Sequence, residues 1–573
     1  RALRAQLNLD QVEIAIIDSR AYMTYQPFLP EVAAGSIQPR HVVAPHRRNL
    51  DGVTIITGAV TAIDHAGRTV TVRPPTPQST HERVEPYTLT YDHLVIALGA
   101  EARTLPIPGL AEQAMGFKQV EEATALRNRV LTRIEDAAST WDTERRRRLL
   151  TFVFVGGGFA GVEAIAELED MARATVRTIP SIEQRDVRFV LVEGSRRILP
   201  ELTEELSGYG LQQLRERGID VRLNTFLSSC VDGHVVLSDG TELSADVIVL
   251  STGVHPDTAF AEAAGIETSR GYILVDEHGR TSADDVYAIG DGTMGRDHDR
   301  PVALAGPANR GGRLVADAIA DAEHGEATAR PIPSPQGTAI VRVGSLTAAM
   351  TGANRQALDA SGAEYFTVHT HANQHAGYFP GAKPIHILMH VGAGGQILGA
   401  QAVGADGVDR RIDVIATAMR AGLSATDLID LDLAYAPPYG QAKDPVNQTG
   451  MVAHNVATGE LVLTGPDALT EDMPVLDVRT PGEYAAGHMP NSLNIPHTQL
   501  RDRLDEVRTW VETNVGDQPF VVMCAAGVRS WIGYRIVRHA GFNVTMLSGG
   551  IQTLRAWLGD KAEVVLVTGE GCA

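Results

Sequence analysis

Residues Leu149–Glu163 read LLTFVFVGGGFAGVE. An apolar strand-like run enters Gly156-Gly157-Gly158, and the residues after Gly161 continue as AIAELEDMA, a helix-like pattern. Gly156, Gly158 and Gly161 thus occupy the Gly-x-Gly-x-x-Gly positions between a strand and a helix. Such glycines permit a tight turn and a close approach of backbone to pyrophosphate, and the helix N-terminus offers N–H groups and a positive dipole end. Bracketed in this way, the motif predicts a dinucleotide site. The next strand, Val187–Val192 (VRFVLV), ends at Glu193, where a carboxylate accepts adenosine ribose hydroxyls and disfavours a 2′-phosphate. This favours NADH, while Arg196 and Arg197 leave NADPH open.

Upstream, Arg1–Leu9 reads as the tail of a helix and Gln11–Ile17 (QVEIAII) as a buried strand ending at Asp18. An acidic residue there is the ribose acceptor of a second βαβ unit, whose glycine turn is expected about 20 residues earlier, ahead of residue 1. Three more segments are hydrophobic strands ending in glycine: Tyr91–Gly99, Ala245–Gly253 and Asp284–Asp291, the last through Gly290. In glutathione-reductase-type flavoproteins such strands connect two nucleotide domains, and the last one places an aspartate beside the flavin. That resemblance makes Asp291 the expected partner of the FAD ribityl chain or pyrophosphate.

A chain of 573 residues exceeds a single core, and roughly three to five domains are expected. The net charge of −20 argues against nucleic acid and anionic membrane surfaces as partners. Three cysteines, Cys230, Cys524 and Cys572, have no C-x-x-C spacing, which excludes a zinc ribbon or disulfide framework and suits a reducing, cytoplasmic setting. No apolar run approaches the roughly 20 residues of a membrane span. No metal site is expected.

The segment Tyr22–Pro39 (YMTYQPFLPEVAAGSIQP), together with VGGGFAGVE, resembles type II NADH dehydrogenases. That resemblance implies FAD as cofactor and places Glu163 near flavin and nicotinamide, though a helix N-terminal carboxylate is the plain alternative. Further on, ALAGPANRGGR (303–313), HAGYFPGA (375–382), AQAVGADGVDRRID (400–413) and LAYAPPYGQAKDPVN (433–447) resemble coenzyme A-disulfide reductases and NADH-dependent polysulfide reductases. This implies an α+β dimerisation domain and a homodimer, with Tyr378, Tyr435 and Tyr439 as candidates to approach the active-site thiol. Those reductases keep a redox cysteine in a Cys-Gly-Leu-Pro-like stretch. Aligning their Leu-Pro with Leu29-Pro30 puts Pro27 at the cysteine position. Cys230 reads as part of a polar, loop-like stretch, and the quinone-facing C-terminal elements of the dehydrogenases are not recognised.

Past a loop-like joint at Ala457–Thr470, the segments PVLDVRTPGEYAAGHMPNSLNIP (474–496), FVVMCAAGVRS (520–530) and MLSGGIQTLRAW (546–557) resemble a single-domain rhodanese. A buried strand, Phe520–Met523, delivers Cys524 into a loop whose N–H groups, following helix and Arg529 are expected to stabilise a thiolate, the species that attacks a sulfane sulfur. Asp477 and Arg479 read as structural, and Cys572 as a tail thiol.

The expected fold is α/β: two Rossmann-like nucleotide-binding domains (glutathione-reductase-like), an α+β dimerisation domain and a C-terminal α/β rhodanese domain. The expected boundaries are 1–115 with 275–330 for FAD, 116–274 for NAD(P)H, 331–455 for dimerisation, 456–470 for a linker, 471–560 for the rhodanese and 561–573 for a tail. The expected activity is an FAD-dependent NAD(P)H oxidoreductase acting on a small persulfide, polysulfide or disulfide. With no cysteine beside the flavin, a Cys524 persulfide swinging to it is one route. Two rivals remain: electron transfer to quinone beside an independent rhodanese, and a sulfurtransferase on a scaffold flavoprotein.

Overall fold

The computed structural model describes residues 1–75, 84–298 and 300–569. The chain divides into two compact units: residues 1–194 with 224–335, and residues 195–223 with 336–573.

In the first unit the nucleotide sheet is parallel. Thr151–Val155 lies between Arg188–Val192 and Val247–Leu250, and Ala114–Met115 pairs with the latter. All five residues of Thr151–Val155 are buried, as a strand covered on both faces requires. Helix Phe159–Val176 follows the glycine turn and buries Val162, Ile165, Leu168 and Ala172 along one stripe. The flavin-side strands form two parallel pairs, Ala15–Asp18 with Thr54–Thr57 and Leu94–Ile96 with Val286–Ala288. The regular part of each glycine-ended strand is shorter than its sequence run, because the last residues leave the ladder to reach the turn.

Cys230 corrects the loop reading. It lies in strand Leu227–Val231, 0% exposed, in a core with Leu110, Val153 and Val235. Burial pushes its thiol up, as for an inert core cysteine.

The second unit holds two sheets. One is antiparallel, in the order Ala339–Val343, Leu346–Gly352, Ile397–Gly404, Pro384–Gly392, Tyr365–Asn373. The other is parallel, in the order Leu463–Thr464, Val544–Leu547, Phe520–Met523, Val475–Asp477, Ser492–Asn494. Its edge strand Leu463–Thr464 lies in the stretch that reads as a loop-like joint, because pairing with Val544–Leu547 orders it.

Alternation along a strand sorts the antiparallel sheet's two faces. Val368, Ile385, Ile387 and Met389 pack with helices Val408–Arg420 and Pro445–Ala457. The opposite face carries His369, His371, His386 and His390, with His371 directly across from His386. The His371 and His386 Nδ1 atoms are 2.6 Å apart, so one ring donates and the other accepts. His371 Nε2 meets Thr553 Oγ1 at 2.7 Å, and His369 Nδ1 meets Ser548 Oγ at 2.8 Å. Both hydroxyls belong to the parallel-sheet region, just after strand Val544–Leu547 and within helix Gly550–Leu558. From helix Glu204–Glu216, Glu205 bonds His369 and pairs with Arg355 at 2.7 Å, while Tyr209 stacks on His386. Helix Gly550–Leu558 comes so close to that helix that a Cβ at Gly208 would sit 3.0 Å from the Ala556 carbonyl oxygen.

Burial lowers the basicity of these rings: His386 is pushed down to about 4, His390 to about 3, and His371 well below the usual range. Burial alone would raise the Glu205 carboxyl, but His369 and Arg355 hold it below the usual carboxylate range. Histidines in the unfolded chain take up protons near pH 6.5, whereas these folded ones stay neutral to about pH 4. Below pH 6.5 the unfolded state therefore binds more protons, and folding stability falls, by up to about 1.4 kcal/mol per pH unit for each such histidine. The Glu205 contribution is lost only lower, as its carboxyl protonates. We expect the melting temperature to fall from pH 6.5 toward pH 4, and His386→Gln to flatten that dependence in thermal melts. An unchanged slope in the variant would refute the assignment.

Candidate functional site: a nucleotide turn and a persulfide loop

Strand Thr151–Val155 ends where Gly156 turns at φ +107°, a conformation that penalises any side chain. Ser251 Oγ donates to the Val155 and Gly156 carbonyls, closing the turn from the neighbouring strand's end. A Cβ at Gly161 would collide with the Gly156 carbonyl oxygen, so helix and turn touch through bare backbone. Gly158 caps the helix without any side-chain hydrogen bond. Glu193 reaches across, its Oε2 accepting the Gly157 N–H at 2.6 Å, which brings the ribose carboxylate to the glycine turn. This arrangement fits a dinucleotide pyrophosphate and its adenosine ribose. Glu163 lies one turn into the helix, half-buried.

Gly99, Gly253 and Gly290 all adopt positive φ (+68°, +88° and +81°), and a Cβ on Gly99 or Gly253 would meet nothing within 4 Å. Asp291 sits in the short 3-10 helix Gly290–Gly292, beside helix Ala305–His324, which the ALAGPANRGGR motif opens. Burial lowers the basicity of Lys118, against the pull of Asp291, Glu101 and Glu122. A lone lysine in FKQVEE carries no sequence signal for that acidic neighbourhood. Asp18 ends its strand with the Arg20 N–H and His46 Nε2 on its carboxylate, at 2.8 and 3.0 Å. Asp18, Gly99 and Asp291 are the residues present that would hold FAD; the glycine turn expected ahead of Asp18 is not among residues 1–573. Pro27 lies in the short 3-10 helix Gln26–Phe28.

Cys524 follows buried strand Phe520–Met523 and is itself 1% exposed. Its Sγ accepts the Gly527 N–H at 3.2 Å and lies 3.3 Å from Ser530 Oγ, to which it donates as a thiol. Gly527 turns at φ +105° to aim that N–H back into the loop. From below, the Ile551 and Gln552 N–H groups donate to the Cys524 and Ala525 carbonyls, at 2.9 and 3.1 Å. Gly550 makes this possible, because a Cβ there would sit 2.5 Å from the Cys524 carbonyl oxygen.

The sequence pattern points Arg529 at the thiolate. Its guanidinium forms a bidentate pair with Glu483, both bonds 2.7 Å, and Cys524 is among the charged groups that act on it. The Arg529 hydrogen bond holds the Glu483 carboxyl down to about 2. Glu483 also completes a capping box with Thr480 at the start of helix Pro481–Ala485. Thr-x-x-Glu in RTPGEY is a legible signal for that cap, but its reach to the cysteine loop is not. Asp477 and Arg479 form a fully buried pair at 2.6 Å under this turn, where losing one partner costs about 3–5 kcal/mol.

Tyr378 and Tyr435 meet at 3.3 Å between hydroxyls, and that bond pushes the Tyr435 phenol up. Both are exposed, as is Tyr439. The loop of Tyr435 and Tyr439 is fixed by the paired arginines of VDRRID. Arg410 donates to the Ala434 and Tyr439 carbonyls at 2.9 Å, and Arg411 forms a buried pair with Asp444 at 2.8 Å. Cys572 lies outside the described residues.

Comparison with known proteins accounts for both halves. The family model described as pyridine nucleotide-disulphide oxidoreductase matches residues 2–322, its dimerisation domain matches 338–445, and the rhodanese-like domain matches 466–556. The chain therefore belongs to the pyridine nucleotide-disulphide oxidoreductase family, with FAD and NAD(P)H as cofactors, and carries a fused rhodanese domain. It is 30% identical over 290 residues to a protein of Dictyostelium discoideum named Probable NADH dehydrogenase, a match covering 50% of this chain and 63% of that one. It spans 51% of an external alternative NAD(P)H-ubiquinone oxidoreductase of Arabidopsis thaliana. A coenzyme A disulfide reductase of Staphylococcus aureus is 28% identical over 403 residues, covering 66% of this chain and 86% of that one. Among solved structures, reduced Bacillus anthracis CoADR-RHD matches with TM-score 0.85 and 29% identity over 99% of this chain and 96% of that one. A NAD-dependent persulfide reductase from A. fulgidus matches with TM-score 0.80 and 29% identity, over 96% of each. Among the described residues no helix is long and apolar enough to cross a membrane.

Two outcomes follow from this geometry. Gly161→Ala forces helix and turn apart and raises KM for NADH by about tenfold or more, equivalent to about 1.4 kcal/mol of binding, in steady-state assays. Glu483→Gln releases Arg529 and lowers thiosulfate:cyanide sulfurtransfer while leaving NADH oxidation with an artificial acceptor unchanged.

Proposed function

We propose that this protein is a homodimeric, NADH-dependent reductase of small persulfide, polysulfide or disulfide substrates, with Cys524 as its sulfane-sulfur carrier. The observation that carries this reading is the Cys524 loop. Its thiol, buried in a core as Cys230 is, is the only one among the described residues set against a positive-φ N–H and a hydroxyl. In the overall reaction, RS–SH + NADH + H⁺ gives RSH + H₂S + NAD⁺, so the S–S bond takes the two electrons of the hydride. Bound FAD would supply the relay of that hydride's electrons. At the carrier, the Cys524 thiolate attacks the outer sulfur of a donor persulfide, forming Cys524–S–SH and releasing the donor thiolate. The Gly527 N–H is placed to hold the charged sulfur, and the Ser530 hydroxyl, which donates to the Gly527 carbonyl at 2.8 Å beside the protonated thiol, would turn its O–H onto the sulfur once the thiol is ionised.

NADH is favoured over NADPH because Glu193 occupies the ribose end of the strand and Arg196 and Arg197 are both engaged by Glu204. Ser548 and Thr553, on the elements that support the Cys524 loop, are bonded to histidines of the antiparallel sheet. This docking supports sulfur leaving on a small diffusible thiol rather than by a swinging of the whole domain. Tyr378, together with Tyr435 and Tyr439 on a loop clamped by Arg410, belongs in this reading to an active site shared between subunits, and the free cysteines suit a reducing, cytoplasmic setting.

A second reading, electron transfer to a quinone with the rhodanese as a passenger, is favoured by the NADH dehydrogenase relative that matches half of the chain. NADH oxidation measured with polysulfide and with a soluble quinone separates the two. We expect turnover with polysulfide that Cys524→Ala abolishes. Polysulfide turnover indifferent to Cys524→Ala would end the coupled mechanism, and turnover with quinone alone would establish the second reading.

A further inference from the structure

Phe226 is a large aromatic side chain left 63% exposed on the nucleotide unit, and it takes no part in that unit's hydrophobic core. Its surroundings are specific. Glu193 ends strand Arg188–Val192, and the backbone at that strand's exit runs directly against the segment carrying Phe226: the Thr225 N–H donates to the Glu193 carbonyl at 3.0 Å. The next residue, Gly194, lies under the Phe226 ring, and a Cβ there would collide with the ring edge. Gly194 thus leaves room for an aromatic ring to rest on bare backbone, one residue past the ribose carboxylate. The backbone that carries the ring is also held in place. The Phe226 N–H donates to Ser238 Oγ, and the Ser238 N–H donates back to the Phe226 carbonyl, both at 2.9 Å. Asn224, at φ +51°, makes the turn that presents the segment.

A carboxylate at the end of the second strand receives the adenosine ribose hydroxyls. Adenine is attached to that same ribose, so its ring lies within a few ångströms of whatever borders the carboxylate. Aromatic side chains bind flat heterocycles by offset or edge-to-face stacking, and an exposed, backbone-pinned ring does so with little entropy to lose. We propose that Phe226 is the stacking platform for the adenine of NADH, and that it sets the enzyme's dependence on the adenosine half of the cofactor. This rests on the assignment of the Gly156–Gly161 turn and Glu193 as the NADH site.

The test uses the full-length chain with ADP-ribose, which carries adenine, ribose and pyrophosphate but no nicotinamide. Isothermal titration is expected to show ADP-ribose binding weakened about tenfold in Phe226→Ala and restored in Phe226→Trp. A parallel assay with reduced nicotinamide mononucleotide, which lacks adenosine, and ferricyanide as acceptor is expected to show no change in turnover. Wild-type affinity for ADP-ribose in Phe226→Ala would overturn the proposal, as would an equal loss of mononucleotide turnover, which would mark a structural role. Failure of the wild-type chain to bind ADP-ribose would instead remove the NADH-site assignment beneath it.

Discussion

A buried parallel strand can present bare backbone only where it ends, and the nucleotide and sulfur sites of this chain are both built on that constraint. Both faces of such a strand are covered, so its chemistry is displaced to the turn beyond its carboxyl end. Thr151–Val155 delivers Gly156 and Phe520–Met523 delivers Cys524 in this way. At each turn a glycine removes the side chain that would block close approach. Gly161 lets the nucleotide helix touch the Gly156 carbonyl, and Gly550 lets a helix N-terminus reach the carbonyls of Cys524 and Ala525. The two sites therefore share a construction while serving different chemistry: one starts a helix at a glycine turn beside a carboxylate, the other turns an N–H onto sulfur.

The polar network at the antiparallel sheet has a different physical basis. Four histidines on one sheet face would be a poor choice for an ordinary core, because each must find partners or be left unsatisfied. Here His369 and His371 find them in Ser548 and Thr553, so the sheet's polar face is completed by the rhodanese. His390 bonds Thr367 through Nδ1. Neutral rings suit this role, since two facing imidazoles can share a hydrogen bond only if at least one nitrogen is free to accept. The network links the dimerisation sheet to the elements that carry the cysteine loop.

Several features are visible along the chain because they are local. The fingerprint at 156–161, the glycine-ended strands, the Cys-Ala-Ala-Gly-Val-Arg loop and the Thr-x-x-Glu cap all lie within short windows whose spacing reports backbone geometry directly. Pro27, where the resemblance to the reductases leads one to expect a cysteine, is equally legible and directs attention to Cys524. The joint at 457–470 is not, since Leu463–Thr464 becomes a strand only by pairing with residues about 80 positions later. Cys230 is hidden for the same reason: its polar neighbours on the chain face outward, while its own side chain enters a core assembled from distant strands.

The order of residues alone thus settled the kind of protein and singled out its candidate turns, because turns and strand periods are short-range properties. The fold decided which charged groups face one another. It paired Arg529 with Glu483, 46 residues away. It brought Phe226 over Gly194 and turned four scattered histidines into one face. Such pairings depend on which strands and helices become neighbours, and no local pattern encodes that distance. The glycine turn at Gly156 is written in one short run of residues; the aromatic ring beside its ribose carboxylate is placed only by the folding of distant strands together.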